Sequence, residues 1–175
     1  LACITVMQIY LDVSKLNKNE FYNFQSTKGR GDISKLKINK KNIFFIDESY
    51  NSNPLSLNSA LENFDKIEIE KNRKHIILGD MLELGRHSKK LHSSMSKKIN
   101  QIFVNKVHVI GRDIKETFKK IDKNKKGNVF KNDSELNNFI NKKLKEGDYL
   151  MVKGSNSTGL FNYISKLKKR NTYVL

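Results

Sequence analysis

Seven residues, 47–53, hold Asp47, Glu48, Tyr50, Asn51 and Asn53. They follow the apolar run NIFFID (42–47) and precede Pro54, the only proline in the chain. A carboxylate accepts two adjacent hydroxyls through short charge-assisted hydrogen bonds, so this segment could hold a diol or an amide. A second cluster, residues 79–85, carries Asp80 and Glu83 between glycines. A third, residues 153–159, places Lys153, Ser155, Asn156 and Thr158 among small residues ahead of a helical run. Free backbone N–H groups at a helix start favour an anion, and a lysine adds a point charge.

Each cluster also has a purely structural explanation. Asp47 or Glu48 could close a turn, Asn51 or Asn53 could cap the helix at Pro54, and Glu83 could be solvated. The third segment could be a capped helix start beside a surface lysine. Other site types leave no trace. There is no G-x-x-x-x-G-K-[ST] or G-x-G-x-x-G run, no Cys/His set with zinc spacing and no evident Ser/His/Asp constellation. His75 and His108 fall in strand-like runs and read as core or edge residues. His87 and His92 lie near the 79–85 segment without a clear direct role. Cys3 sits in an apolar helical run, where a buried small side chain is a better account than a nucleophile.

The elements that must position these clusters follow from periodicity. Residues 1–12 read as a helix and 13–32 as polar connection. ISKLKI (33–38) alternates as a half-buried strand, NKKN turns, and 42–47 returns as a second strand, giving a hairpin. Helices are predicted at 54–66, 88–104, 112–122, from a cap at Asp133 or Ser134 to 145, and at 158–169. Strands are predicted at 75–80, 106–111, 128–131 and 148–154. Proline suits the first helical turn. The alternation implies a mostly parallel sheet with helices on both faces, preceded by a hairpin and a helix. In such a sheet, ligands bind beyond the carboxyl ends of the strands, and all three clusters lie there. A domain boundary is expected near residues 29–42.

A chain of 175 residues is one domain, or one domain and a piece of another. The opening segment reads as the middle of a helix, so a longer parent protein is expected. No apolar run is long enough for a membrane span, and a single cysteine, which allows no internal disulfide, suits a reducing cytoplasm. The net charge of +16 suggests nucleic acid, but only five of the 34 basic residues are arginine. The lysines are scattered among asparagine and isoleucine, as AT-rich coding would produce. A lysine-rich surface with weak, salt-sensitive attraction to polyanions is the expectation; a basic nucleic-acid-binding α/β module is the less favoured alternative.

Four motifs carry a resemblance. IDESYNSNPLSLNSAL (46–61) resembles the D-D-S-Y-N-A-N-P signature of the Mur ligases of peptidoglycan synthesis. ILGDMLELG (77–85) with Leu91-His92, GDYLMVKGSNSTGL (147–160) and Lys28-Gly29-Arg30-Gly31 are similar to further signatures of that family, in order. The resemblance implies a Rossmann-like C-terminal domain over residues 32–175 and the tail of a central ATPase domain over 1–31. It implies a cytoplasmic ligase that uses ATP with Mg2+, bound mainly by domains upstream of this chain. The terminal carboxylate of UDP-N-acetylmuramoyl-tripeptide becomes an acyl phosphate, and the amine of D-alanyl-D-alanine displaces the phosphate to form an amide. By the same resemblance, Arg30 contacts the γ-phosphate and Asp47 or Glu48 the ribose. Tyr50, Asn51 and Asn53 lie near the adenosine, and Asp80, Glu83, Lys153, Ser155, Asn156 and Thr158 receive the dipeptide. No metal ligand is assigned. A sister Mur ligase adding a different amino acid is the alternative within the family. Two departures stand out: Glu48 replaces the usual second aspartate, and Asn156-Ser157 replace an arginine-glycine pair.

Overall fold

The computed structural model describes residues 8–10, 12, 15, 28–70 and 73–171. Residues 8–10 are helical; the rest of the expected 1–12 helix, apart from residue 12, and Cys3 with it, lies outside the described residues.

The chain then forms β1 (Asp32–Ile38), β2 (Lys41–Glu48), α1 (Pro54–Asp65), β3 (Lys74–Gly79), α2 (Ser88–Gln101) and β4 (Lys106–Ile110). It continues with α3 (Lys115–Lys120), β5 (Lys126–Phe130), α4 (Asp133–Lys142), β6 (Tyr149–Lys153) and α5 (Leu160–Asn171). One six-stranded sheet has the order β1-β2-β6-β3-β4-β5. Only β1 is antiparallel to its neighbour; the other pairings are parallel. This is the Rossmann-like α/β architecture with an N-terminal hairpin. Asn39 and Lys40 form the hairpin's two-residue turn with φ of 48° and 68°, the conformation that matches strand twist.

Strand alternation feeds two cores. Ile46, Ile76, Leu78, Val107, Val109 and Met151 face α1, α2 and α3, where Leu57, Leu61, Phe64, Met95 and Ile99 meet them. Ile43, Phe45, Ile77, Leu150 and Val152 face the opposite way, against Leu136, Phe139, Leu160 and Ile164 of α4 and α5. Apolar side chains on both faces are what buried parallel strands require.

Several boundaries differ from expectation: the second helix ends at Gln101 rather than 104, the fourth at Lys142 rather than 145, and β5 spans 126–130 rather than 128–131. α3 begins at Lys115 rather than 112, because Asp80 accepts the N–H groups of Arg112 (2.9 Å) and Ile114 (2.7 Å) and holds that segment as a turn. The cap of α4 is Asn132, whose Oδ1 accepts from Glu135 N at 3.0 Å, and not Asp133 or Ser134. α5 begins at Leu160, preceded by a 3-10 turn at Asn156–Thr158. Asn53 caps α1 as one of the structural alternatives foresaw: it accepts from Ser56 N at 2.8 Å while Ser56 Oγ accepts from Asn53 N at 3.1 Å.

The lysines are not simply a solvated coat. Lys74 donates to the carbonyls of Phe64 and Asp65 at the end of α1, and Lys125 to Ile99, Asn100 and Ile102 at the end of α2. Lys126 donates to Lys119 O in α3, and Lys41 to Leu144 O just beyond α4. The last carbonyls of a helix lack partners and carry its negative dipole end, so each ammonium satisfies both needs.

His75 and His108 stack in the sheet against Phe139. Burial, with a smaller push from His75, lowers the His108 pKa to about 3. The native protein therefore resists a proton that the unfolded chain accepts near pH 6.5, so stability is unaffected above that pH and falls progressively below it. Between pH 7.5 and 5 the wild type should lose about 2 kcal/mol more stability than His108→Gln in urea melts. Lys125→Met leaves three carbonyls of α2's end without their donor and should destabilise by about 2–3 kcal/mol at pH 7.5, read from the same melts.

Candidate functional site at the carboxyl edge of the sheet

β6 lies between β2 and β3. The chain leaves β2 and β3 toward the α1–α3 face, but leaves β6 toward the α4–α5 face. Neighbouring loops that diverge to opposite faces open a crevice between them, and β6 has one on each side. The segments bordering them fall within 47–53, 79–85 and 153–159, the three clusters the sequence singles out.

Ser155 joins them. It is buried; its N–H donates to Asp80 O at 3.0 Å, its hydroxyl accepts from Leu82 N at 3.0 Å and donates to Ser52 O at 3.3 Å. Thr158 closes the turn behind it, donating from N and Oγ1 to Ser155 O. Gly79 and Gly154 let the β3 and β6 ends touch: a Cβ on Gly154 would stand 3.2 Å from Gly79 Cα and 3.0 Å from Leu160. Lys153, 2% exposed, donates to Asn51 O at 2.9 Å and lies 3.5 Å from a Glu48 carboxylate oxygen. Burial lowers its pKa, the Glu48 charge opposes that, and Arg30 adds a smaller downward push. Lys153 is thus a cross-loop strut and not a free charge at the surface.

The two acids of the first motif have different surroundings. Asp47 is 1% exposed and accepts from Ser49 N (3.1 Å), Ser49 Oγ (2.5 Å) and Lys168 Nζ (3.1 Å). Glu48 keeps about a quarter of its side chain exposed. Arg30 is exposed, with its guanidinium 4.6 Å from the Tyr50 ring centre. Tyr50 meets Phe161 edge-on at 5.5 Å, so one aromatic surface carries the cation.

Tyr50, Asn51, Glu83, Ser155 and Asn156 border one cleft of about 210 Å³. Asp80 and Thr158 border an adjoining depression of about 290 Å³, together with Gly111, Asp133 and Leu160. Leu82 and Ser157 form the wall common to both. Glu83 holds φ of 63°, a costly backbone for a non-glycine residue, and its side chain is presented at the rim. Asp47 and Asn53 border neither cleft: one faces α5, the other caps α1. The sequence reading missed Leu82, Ser157 and Gly111. A leucine between two acidic positions carries no chemical signal, and Gly111 shows its function only through its φ of 140° against the Asp80 carboxylate.

His92 is engaged inside the fold. Buried His92 accepts from Met81 N at 2.9 Å through Nε2, and its Nδ1 lies 2.8 Å from Ser88 O. Those partners fix Nδ1 as the protonated nitrogen, leaving no lone pair for the nearby Ser88 hydroxyl, which donates to Asp113 at 2.6 Å. The trio anchors the 80–85 loop. Among the described residues, no group of three or more His, Cys, Asp or Glu could hold a metal, and no helix is long and apolar enough to cross a membrane.

The fold and site define a Rossmann-like domain whose carboxyl edge carries a two-part polar cleft. The sequence profile "Mur ligase, glutamate ligase domain" matches residues 34–156, well over half of the chain; the chain belongs to the Mur ligase family. Two curated relatives are named UDP-N-acetylmuramoyl-tripeptide--D-alanyl-D-alanine ligase. That of Rickettsia prowazekii is 32% identical over 134 residues, 77% of this chain and 28% of the relative. That of Buchnera aphidicola (Acyrthosiphon pisum) is 31% identical over 136 residues, 77% and 29% of the two. This chain therefore spans under a third of the relatives it matches. The fold matches that of MurF ligase from Thermotoga maritima in complex with ADP, at a TM-score of 0.72 and 17% identity over 96% of this chain and 37% of the other. MurF from Acinetobacter baumannii gives 0.72 and 19%, over 96% and 36%.

Ser155→Ala should release Leu82 N and Ser52 O together. The expected outcome is faster amide exchange at Leu82 with β-sheet amides unchanged, and about 1–3 kcal/mol less stability.

Proposed function

We propose that this chain is the C-terminal part of an ATP-dependent amide-forming ligase. It joins D-alanyl-D-alanine to UDP-N-acetylmuramoyl-tripeptide in the cytoplasm, and the chain before β1 continues a central ATPase domain, with the division near residue 31. The observation that carries this reading is the convergence of three motif loops on β6, tied together through Ser155 and Lys153, in a chain whose curated relatives bear that ligase name.

The nucleotide supplies the phosphoryl group that activates the tripeptide carboxylate. This chain binds and orients. Glu48, partly exposed, accepts the ribose hydroxyls, since the Asp47 carboxylate is engaged inside with Ser49 and Lys168. The Tyr50–Asn51 side of the cleft lies against adenosine. Arg30, held on Tyr50, offers a planar fork to phosphate oxygens and to the charge that develops on them. Exposed donors and a half-open carboxylate suit a nucleotide presented from outside, and Mg2+ is assigned to the upstream domain. The adjoining depression, with Asp80, Ser157, Thr158 and apolar walls at Ile110 and Leu160, receives the dipeptide, with Glu83 and Asn156 at its entrance. Lys153 is internal, so it shapes this loop and does not itself grip the dipeptide carboxylate. No specific nucleic-acid partner is proposed, because part of the lysine surplus is engaged at helix ends.

With the chain joined to its upstream domains, Arg30→Ala should lower turnover about 100-fold while the KM for tripeptide changes by less than about threefold. An equal loss in both would overturn the phosphate role. ATP turnover by the 175-residue chain alone would overturn the reading as a whole.

A further inference from the structure

Lys168 lies on α5, outside all four motifs. Its ammonium contacts the carboxylates of both Asp32 and Asp47, the latter at 3.1 Å. Those aspartates are direct register partners across β1 and β2, so two like charges stand side by side, one of them fully buried. Adjacent like charges across strands repel, and the cation between them turns repulsion into a clamp. Burial pulls the Lys168 pKa down, but the two carboxylates outweigh it and raise the value above the ordinary lysine level; the clamp is charged at neutral pH.

Both aspartates hold the loop that carries Arg30. Gly29 N donates to Asp32 Oδ1 at 3.0 Å, and Gly31 N donates to Asp47 O at 2.8 Å. Gly29 O in turn accepts Tyr50 N at 3.1 Å. Arg30 therefore stands between two tethered glycines, with φ of 77° and 83°. α5 meets the loop a second time at Phe161, 2.9 Å from where a Cβ on Gly29 would be.

We propose that Lys168 is a positioning residue for Arg30: by clamping Asp32 and Asp47 together it fixes residues 28–31 on this unit and presents the guanidinium over Tyr50. The inference rests on the role given to Arg30 above. Residues 28–31 then travel with β1–α5, and any pivot relative to the upstream domain falls before Lys28, a few residues ahead of the division at 31.

The test is amide exchange by NMR on the 175-residue chain, comparing wild type, Lys168→Met and Lys168→Arg. Lys168→Met should raise exchange at Gly29, Gly31 and Tyr50 about tenfold or more and leave Met81 and Leu82, on the neighbouring loop, unchanged; Lys168→Arg should restore protection. In parallel, the Arg30 Nε–Hε signal is titrated with sodium tripolyphosphate, which should bind more weakly to Lys168→Met than to wild type. Unchanged exchange at the three amides, or a uniform rise over the whole domain, would overturn the clamp. Should Lys168→Met not fold, Asp32→Asn, which keeps an acceptor for Gly29 but removes a charge, must raise exchange at Gly29 and Gly31, and unchanged exchange there overturns the clamp. Tripolyphosphate binding, followed in both proteins through the Gly29, Gly31 and Tyr50 amides, that is unaltered by Arg30→Ala would instead sink the phosphate role of Arg30, while the exchange data still judge the clamp.

Discussion

The carboxyl end of β6 depends on one serine, through its backbone N–H and its hydroxyl. Ser155 is the point at which three loops, separated by tens of residues in sequence, become one rim, because its donor and acceptor capacity is divided among Asp80, Leu82 and Ser52. Each of those bonds is modest alone, about 1 kcal/mol net. Their value lies in geometry: a buried group with several partners cannot adjust to one without losing another. Lys153 reinforces the same junction from below, from the strand itself. The two clefts share Leu82 and Ser157 as a wall, so their separation is set by this junction and not by either loop alone.

Around that junction the charged groups fall into two kinds. Asp47, Asp80, Lys153 and Lys168 are engaged by neighbours within the fold. Arg30, Glu48, Glu83 and Asn156 keep exposed surface at the rim. The inner set lies against part of the outer set: Asp47 and Asp32 tether the glycines beside Arg30, and Lys153 stands against Glu48. Polar groups that neighbour one another in a motif thus do unlike work, and adjacency in sequence is a poor guide to which of two acids meets a ligand.

Much of the fold was legible from periodicity. Strands with apolar residues on both faces, such as HIIL and YLMV, suit central positions, and a helix opening at Pro54 could be placed to the residue, though the sequence does not choose between Asn51 and Asn53 as its cap. At two of the places where the reading went astray, a side-chain-to-backbone hydrogen bond intervened, long-range in one case and local in the other. The start of α3 was set by Asp80, over thirty residues earlier, and the cap of α4 fell on Asn132 because an asparagine side chain outcompeted the acids that follow it. The three clusters were visible as composition at strand ends. Their internal division was not, because nothing in DESYNSN tells that the first acid turns toward α5 while the second stays at the rim. Lys168 and Leu82 left no mark at all; one is a lysine among lysines, the other a leucine in a loop.

The lysines at the helix ends have a consequence for the order in which this chain can be completed during synthesis. α1, α2 and α3 are each closed by an ammonium that lies downstream, at Lys74, Lys125 and Lys126. As the chain leaves the ribosome, each helix emerges with its final carbonyls open and receives its terminator only when a later segment follows. The terminator of α1 comes with β3 and those of α2 and α3 with the start of β5, whereas the sheet is complete only when β6, the last strand made, takes its place between β2 and β3.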